Sequence, residues 1–154
     1  MNTKLIHKLL LSNAGFAAPI LRVPLGIVLM AHGSQKLFGL FGGYGLQGTG
    51  QFMESVGFAP GYVMALLAGS GEFFGGLALI LGLLTRPAAV VTAFTMIMAM
   101  TVHIGNGLFV TNNGYEYALI LAVASLTLVV QGGGALSVDN KIAQRLKNHS
   151  DNNA

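Results

Sequence analysis

Glu72 is the residue whose chemistry most needs an explanation. It lies near the middle of residues 61–84, GYVMALLAGSGEFFGGLALILGLL, and is the only charge in that stretch. The stretch is long enough to cross a bilayer. A carboxylate there costs about 2.5–3.5 kcal/mol on an insertion scale, so it needs a partner, a proton or a task. Four other ionisable residues could work with it. His32 and Lys36 are four residues apart and share a helix face. His103 closes one apolar segment and Glu116 opens another.

Three chemistries suit these types. A quinone or quinol headgroup needs donors to its oxygens and a proton carrier, which His and Glu supply. His32, His103, Glu72 and Glu116 are also ligand types for zinc or iron. Their spacing disfavours that reading, because no Glu-x-x-His or His-Glu-x-x-His pattern occurs. Two histidines on separate segments are equally unspecific as axial haem ligands. The third use is structural: a Glu72–Lys36 or Glu72–His32 pair that fixes the helix arrangement. Taken singly, Lys36 and His103 also suit a membrane interface, and Glu116 suits a helix N-terminus.

These residues must be positioned by apolar elements. Of 154 residues, 53% are hydrophobic and 8% charged, with a mean hydropathy of +0.68. A soluble domain carries about 25% charged residues. The composition therefore indicates an all-α integral membrane protein. The net charge is +3, but the basic residues are scattered at segment ends. That excludes the dense basic face of a nucleic-acid binder. The chain has no cysteine, which excludes disulfides, thiolate metal sites and a thiol nucleophile.

Hydropathy places spans at about 19–38, 61–84, 88–104 and 115–130. Residues 1–18 are expected to be an interfacial segment, with Leu5, Ile6 and Leu9 in the headgroups. Arg22 is expected to snorkel at one membrane face. It is fourteen residues from Lys36, about 21 Å of helix rise, so the two belong to opposite leaflets. The glycines of 39–60 predict a loop whose first half is irregular, with a short helix over 51–56. Gly43–Gly48 matches G-x-G-x-x-G, but without a preceding strand or an opening helix the match carries no dinucleotide site. Gly71 and Gly75 mark a face for close helix packing. Thr85-Arg86-Pro87 reads as a tight turn. Met96, Met98 and Met100 read as core, and Tyr115 and Tyr117 as interface residues. After Gly132-Gly133-Gly134 come a short linker, a basic tail (Lys141, Arg145, Lys147) and a disordered end from Asn148.

With four spans, seven of the eight Lys and Arg fall on one side and Lys36 on the other. By the positive-inside rule both termini are cytoplasmic. Short connections then give an up-down four-helix bundle, with 19–131 as membrane domain and 132–154 as cytoplasmic tail. This topology gathers His32, Lys36, Glu72, His103 and Glu116 in the outer half of the membrane.

The chain resembles the DoxX family of bacterial four-span inner-membrane proteins. The resemblance rests on Arg22, on 33–36 (GSQK), on Glu72 followed by 75–88 (GGLALILGLLTRPA), and on 132–139 (GGGALSVD). It spans roughly 18–139. It implies four transmembrane helices, and Arg22, Lys36, Glu72 and Arg86 are the positions it carries over. Related proteins include the membrane subunit of a thiosulfate:quinone oxidoreductase and components of oxidative-stress or thiol-redox complexes. The resulting expectation is a multi-pass inner-membrane component of a quinone-linked or oxidative-stress-related redox system. In it Glu72 handles a proton, His32, Lys36 and His103 orient the small molecule, and Glu116 balances charge. The expected partners are the lipid bilayer, a redox subunit and a second copy in a homo-oligomer; nucleic acid is not among them. The alternatives are a non-enzymatic scaffold for redox proteins and a small-molecule or ion carrier.

Overall fold

The computed structural model describes residue 7 and residues 9–151, and among them it contains no strand. Its helices are α1 (Ala17–Phe38), α2 (Gly45–Ser55), α3 (Gly61–Leu81), α4 (Thr85–His103), α5 (Glu116–Gln131) and α6 (Val138–Asp151). Short 3-10 turns occupy Leu40–Gly42, Ile104–Asn106 and Val110–Asn112. Ala17–Phe38, Gly61–Leu81 and Thr85–Asn106 are long and apolar enough to cross a membrane. Glu116–Gln131 is apolar but has 16 residues, short of the roughly 20 that a hydrocarbon core requires.

The sequence explains how these helices approach one another. α1 and α3 run antiparallel with their backbones nearly touching. A Cβ on Gly76 would stand 2.6 Å from the Gly26 carbonyl oxygen and 2.7 Å from Met30 N. Gly71 and Gly75 serve a different neighbour: their missing Cβ atoms make room for Thr95 and Thr92 of α4. Thr92 Oγ1 and Ser125 Oγ hydrogen-bond at 3.1 Å and join α4 to α5. Between the helices, Leu25, Leu29, Leu79, Met96 and Leu128 form the buried core with small alanines around them.

Arg22 departs from the expectation of snorkelling. It is 2% exposed. Its Nε donates to the Gly133 carbonyl (3.0 Å), Nη1 to Leu79 and Ile80 (2.8 and 2.5 Å), and Nη2 to Leu136 (3.1 Å). Carbonyls at the end of α3 and in the 132–137 turn need donors, and one guanidinium donates to four of them, sharing that of Leu79 with the Gly82 N–H. Gly82 makes this possible twice. It ends α3 in the left-handed region (φ 64), and a side chain there would meet Ser137 and the Arg22 guanidinium.

Asp139 completes the same end. Its carboxylate accepts from Leu84 N (2.7 Å) and Thr85 N (2.8 Å), and its own N–H donates to the Gly82 carbonyl (2.9 Å). It therefore caps α4 from a distant part of the chain and holds Leu84 in a left-handed conformation (φ 47). Arg86 donates to the carbonyls of Val129, Val130 and Leu11. Ser12 Oγ donates to the Gln131 carbonyl, and Asn140 Nδ2 to that of Ser12. Residues 129–140 thus fold back as a clasp over the Arg22 end.

Several boundaries change. α3 stops at Leu81, so the turn is Gly82–Leu84 and Thr85 already belongs to α4. α4 therefore starts three residues before the predicted 88. A regular helix runs through Gly45, Gly48 and Gly50, where an irregular loop was expected. The reason is packing: a Cβ on Gly50 would lie 3.0 Å from Tyr62 of α3. A helix does open within the G-x-G-x-x-G run, yet no strand precedes it among the described residues. α6 replaces the short linker from Val138 and stays helical from Asn148 to Asp151, where disorder was expected. The expected contacts of Leu5 and Ile6, and the end of the tail after Asp151, lie outside the described residues.

Candidate functional site

At the opposite end of the bundle, α1 presents His32 and Lys36 from adjacent turns, and α3 presents Glu72. The glycine contacts bring the two helices close enough for a direct pair. Lys36 Nζ lies 3.0 Å from Glu72 Oε1 and 2.7 Å from Oε2. Of the two pairings the sequence allows, Glu72–Lys36 is the one formed. The Glu72 side chain is 3% exposed and that of Lys36 25%. The carboxylate is therefore buried behind its ammonium, which faces outward. A buried pair of this kind contributes little net stability, because desolvation offsets attraction.

α4 ends at His103, whose Nδ1 is 2.9 Å from the Asn113 carbonyl oxygen. A carbonyl only accepts, so Nδ1 carries the hydrogen of this contact. The Asn106 side-chain amide donates to the same carbonyl (3.1 Å). α5 begins by placing Tyr117 against His32, with ring centroids 5.8 Å apart at a tilt of 59°.

These groups surround one cavity of about 220 Å³. His32, Lys36, Glu72, His103, Asn113 and Tyr117 line it, and Leu29, Met96 and Leu121 are its apolar part. Four of the five predicted residues thus share a cavity. Glu116 does not line it. Its Oε1 accepts from Val110 N (2.7 Å) and its own N–H donates to the Leu108 carbonyl (2.9 Å), so it ties down the loop beside the cavity. Among the described residues no three His, Cys, Asp or Glu side chains are grouped to hold a metal ion.

Tyr117 and Asn113 escaped the sequence reading. Tyr117 had a sufficient explanation as an interfacial aromatic. Its contact with His32 depends on how α1 meets α5, which no spacing within either helix encodes. Asn113 contributes through a backbone carbonyl, which leaves no mark in residue type.

The cavity's fixed charges cancel, since Lys36 and Glu72 are paired. What remains is a set of hydrogen-bonding groups above an apolar floor, at one end of a bundle with long apolar helices. This is a helical membrane protein with a small cavity that sets polar groups over an apolar floor. The chain belongs to the DoxX family, whose model matches residues 17–104. It is 33% identical over 129 residues to a Bacillus subtilis protein named "Putative oxidoreductase CatD", covering 84% of this chain and 89% of that one. It is 35% identical over 102 residues to the Escherichia coli "Inner membrane protein YqjF", covering 66% and 77%. A Haemophilus influenzae relative, "Uncharacterized protein", is 37% identical over 110 residues, covering 65% and 82%. No solved structure matches the chain.

Proposed function

We propose that this protein crosses the bacterial inner membrane four times, with both termini cytoplasmic, and binds a quinone or quinol headgroup in the cavity for a partner redox protein. The observation that carries this reading is the Lys36–Glu72 pair, buried on its Glu side and facing a cavity with His32, His103 and Tyr117. In this arrangement α5 is the fourth span, 1–18 an interfacial lead-in and 132–154 a cytoplasmic tail. The exposed bases Lys141, Arg145 and Lys147 accompany the Arg22 end, so the positive-inside rule puts the cavity on the outer side. The relative named as an oxidoreductase supports redox work.

The donor set fits such a headgroup. Quinone oxygens accept hydrogen bonds, and the Lys36 ammonium, His32 and the Tyr117 hydroxyl can donate them. Reduction adds two electrons and two protons. The chain has no cysteine to carry electrons, so the partner redox protein supplies them. Lys36 and His32 each give one proton, and water at the rim restores both. Glu72 keeps Lys36 charged until that proton leaves. In the oxidising direction Glu72 takes one proton and His32 the other, both pass on to water at the rim, and the two electrons pass to the partner. His103, fixed by Asn113, orients the far side of the ring. The packed Leu25, Leu29, Leu79 and Leu128 core favours a blind site over a carrier's continuous path.

The test is equilibrium binding of a decyl-tailed benzoquinone to protein in lipid nanodiscs. Wild type binds, and Glu72→Gln weakens binding by about tenfold, or 1.4 kcal/mol, with its helical circular dichroism intact. A wild-type protein that binds no benzoquinone sinks the proposal.

A second reading has its own observation. α6 presents Lys141, Arg145 and Lys147 on an exposed surface, as a scaffold for an acidic partner would. Removing those charges would abolish a scaffold's phenotype and leave headgroup binding untouched.

A further inference from the structure

The cavity is smaller than its ligand class requires. Sites that enclose a drug-sized molecule measure about 300–1,000 Å³, and this one is about 220 Å³. Resting on the headgroup reading above, that volume holds an oxygenated ring and leaves an apolar tail outside. The tail needs an exit.

The walls differ in what they offer. Between α1 and α3 the backbones meet through glycine, and nothing passes. Beside α4 and α5 the loop is fastened by Glu116 and by the His103–Asn113 contact. Between α1 and α5, at the cavity's level, the wall is the His32–Tyr117 ring pair. Tyr117 lines the cavity yet is 45% exposed. On this side Tyr117 borders both the cavity and the exterior. That exterior is apolar: Ile120, one turn along α5, is 65% exposed, and Val28, four residues before His32 on α1, is half-buried.

We propose that Tyr117 is a side gate between α1 and α5, and that the ligand's apolar tail passes it to lie in the membrane along Val28 and Ile120. Tyr117 is then a specificity-determining residue: it selects an amphiphile with a polar ring and a lipid-soluble tail over a water-soluble ring of the same chemistry. A phenol suits that position, since its ring packs on the tail and its hydroxyl reaches the headgroup.

Two measurements test this. The first compares a tailless dimethoxy-methyl-benzoquinone with its decyl-tailed homologue on wild type, Tyr117→Phe and Tyr117→Trp. The larger ring should narrow the exit, so relative to Tyr117→Phe, which removes the hydroxyl alone, Tyr117→Trp loses about tenfold more in affinity for the tailed ligand, or 1.4 kcal/mol, and less than about twofold more for the tailless one. Tyr117→Phe keeps the wild-type preference for the tailed ligand. Equal losses for both ligands, or no loss, overturn the gate. The second uses wild type alone, so no variant has to fold. A benzoquinone carrying a photoreactive group at its tail end is cross-linked and the labelled peptide identified. Label near Val28 or Ile120 supports the gate; label on the 107–114 loop shows a tail leaving past that loop and overturns it. If wild type binds neither benzoquinone, the headgroup reading itself has failed, an outcome separate from either of these.

Discussion

The two ends of this bundle each carry a basic side chain, and they use it in opposite ways. Arg22 gives its donors to the carbonyls of Leu79, Ile80, Gly133 and Leu136, all parts of its own backbone framework. Lys36 gives its donors to one side chain, Glu72, and faces a cavity. The intramembrane cost of charge is the same kind of cost in both places. At the Arg22 end it is offset by completing helix ends, which leaves nothing for a ligand. At the Lys36 end it is offset by a pair that a proton can uncouple. The contrast separates a basic residue spent on backbone from one paired with a side chain at a cavity better than burial does.

Substitutions can break that contrast. The largest effect should come from Arg22→Met, which takes the guanidinium from the carbonyls of Ile80, Gly133 and Leu136 and removes the tie between α1, α3 and the clasp. Unfolding in detergent should show a loss of about 4 kcal/mol, and no single second substitution should restore it, because the partners are backbone. Lys36→Met should cost about 3 kcal/mol by leaving the Glu72 carboxylate unpaired. Here rescue is available: adding Glu72→Gln removes the stranded charge and should recover at least about half of the loss in a double-mutant cycle. A Lys36→Met loss that Glu72→Gln cannot relieve would make both ends structural.

Asp139→Ala should cost about 1–2 kcal/mol, the usual value of an N-cap, and should leave headgroup binding unchanged. Thermal unfolding and the nanodisc titration check the two halves of that statement. The smallest effect belongs to Glu116→Ala, which frees Val110 N at the rim. Stability should fall by less than about 1 kcal/mol, while amide exchange at Val110 should quicken. If Glu116→Ala abolishes binding instead, the residue acts on the ligand and not on the loop.

Much of the Lys36 end was legible in the sequence. Helix periodicity put His32 and Lys36 on one face, and antiparallel spans brought Glu72 and His103 to the same end. These inferences need only helix geometry and chain direction. Glu116 shared the level but not the cavity, because its carboxylate was drawn to a loop amide six residues away. The Arg22 end was misread for a related reason. Snorkelling follows from a basic residue near a membrane face, yet here 133–140 return to cover that face, and nothing near Arg22 announces it. Glycine misled in another way. In 45–50 it permits close packing of α2 on α3, and a sequence shows the missing side chain without showing which use it has.

The cap that Asp139 places on α4 also sets an order of assembly. Thr85 and Asp139 are separated by 54 positions. At about 5–20 residues per second, synthesis takes roughly 3–11 s to cover that distance. During this interval the Gly82–Leu84 turn exists without its cap, and Arg22 without the carbonyls of Gly133 and Leu136. Until then the first three long helices are held by contacts among themselves, the glycine approach, the Lys36–Glu72 pair and the Arg22 bonds to α3. Residues 133–139 thus lock elements made long before them, so a chain released before Asp139 leaves an unfastened bundle for quality control to find.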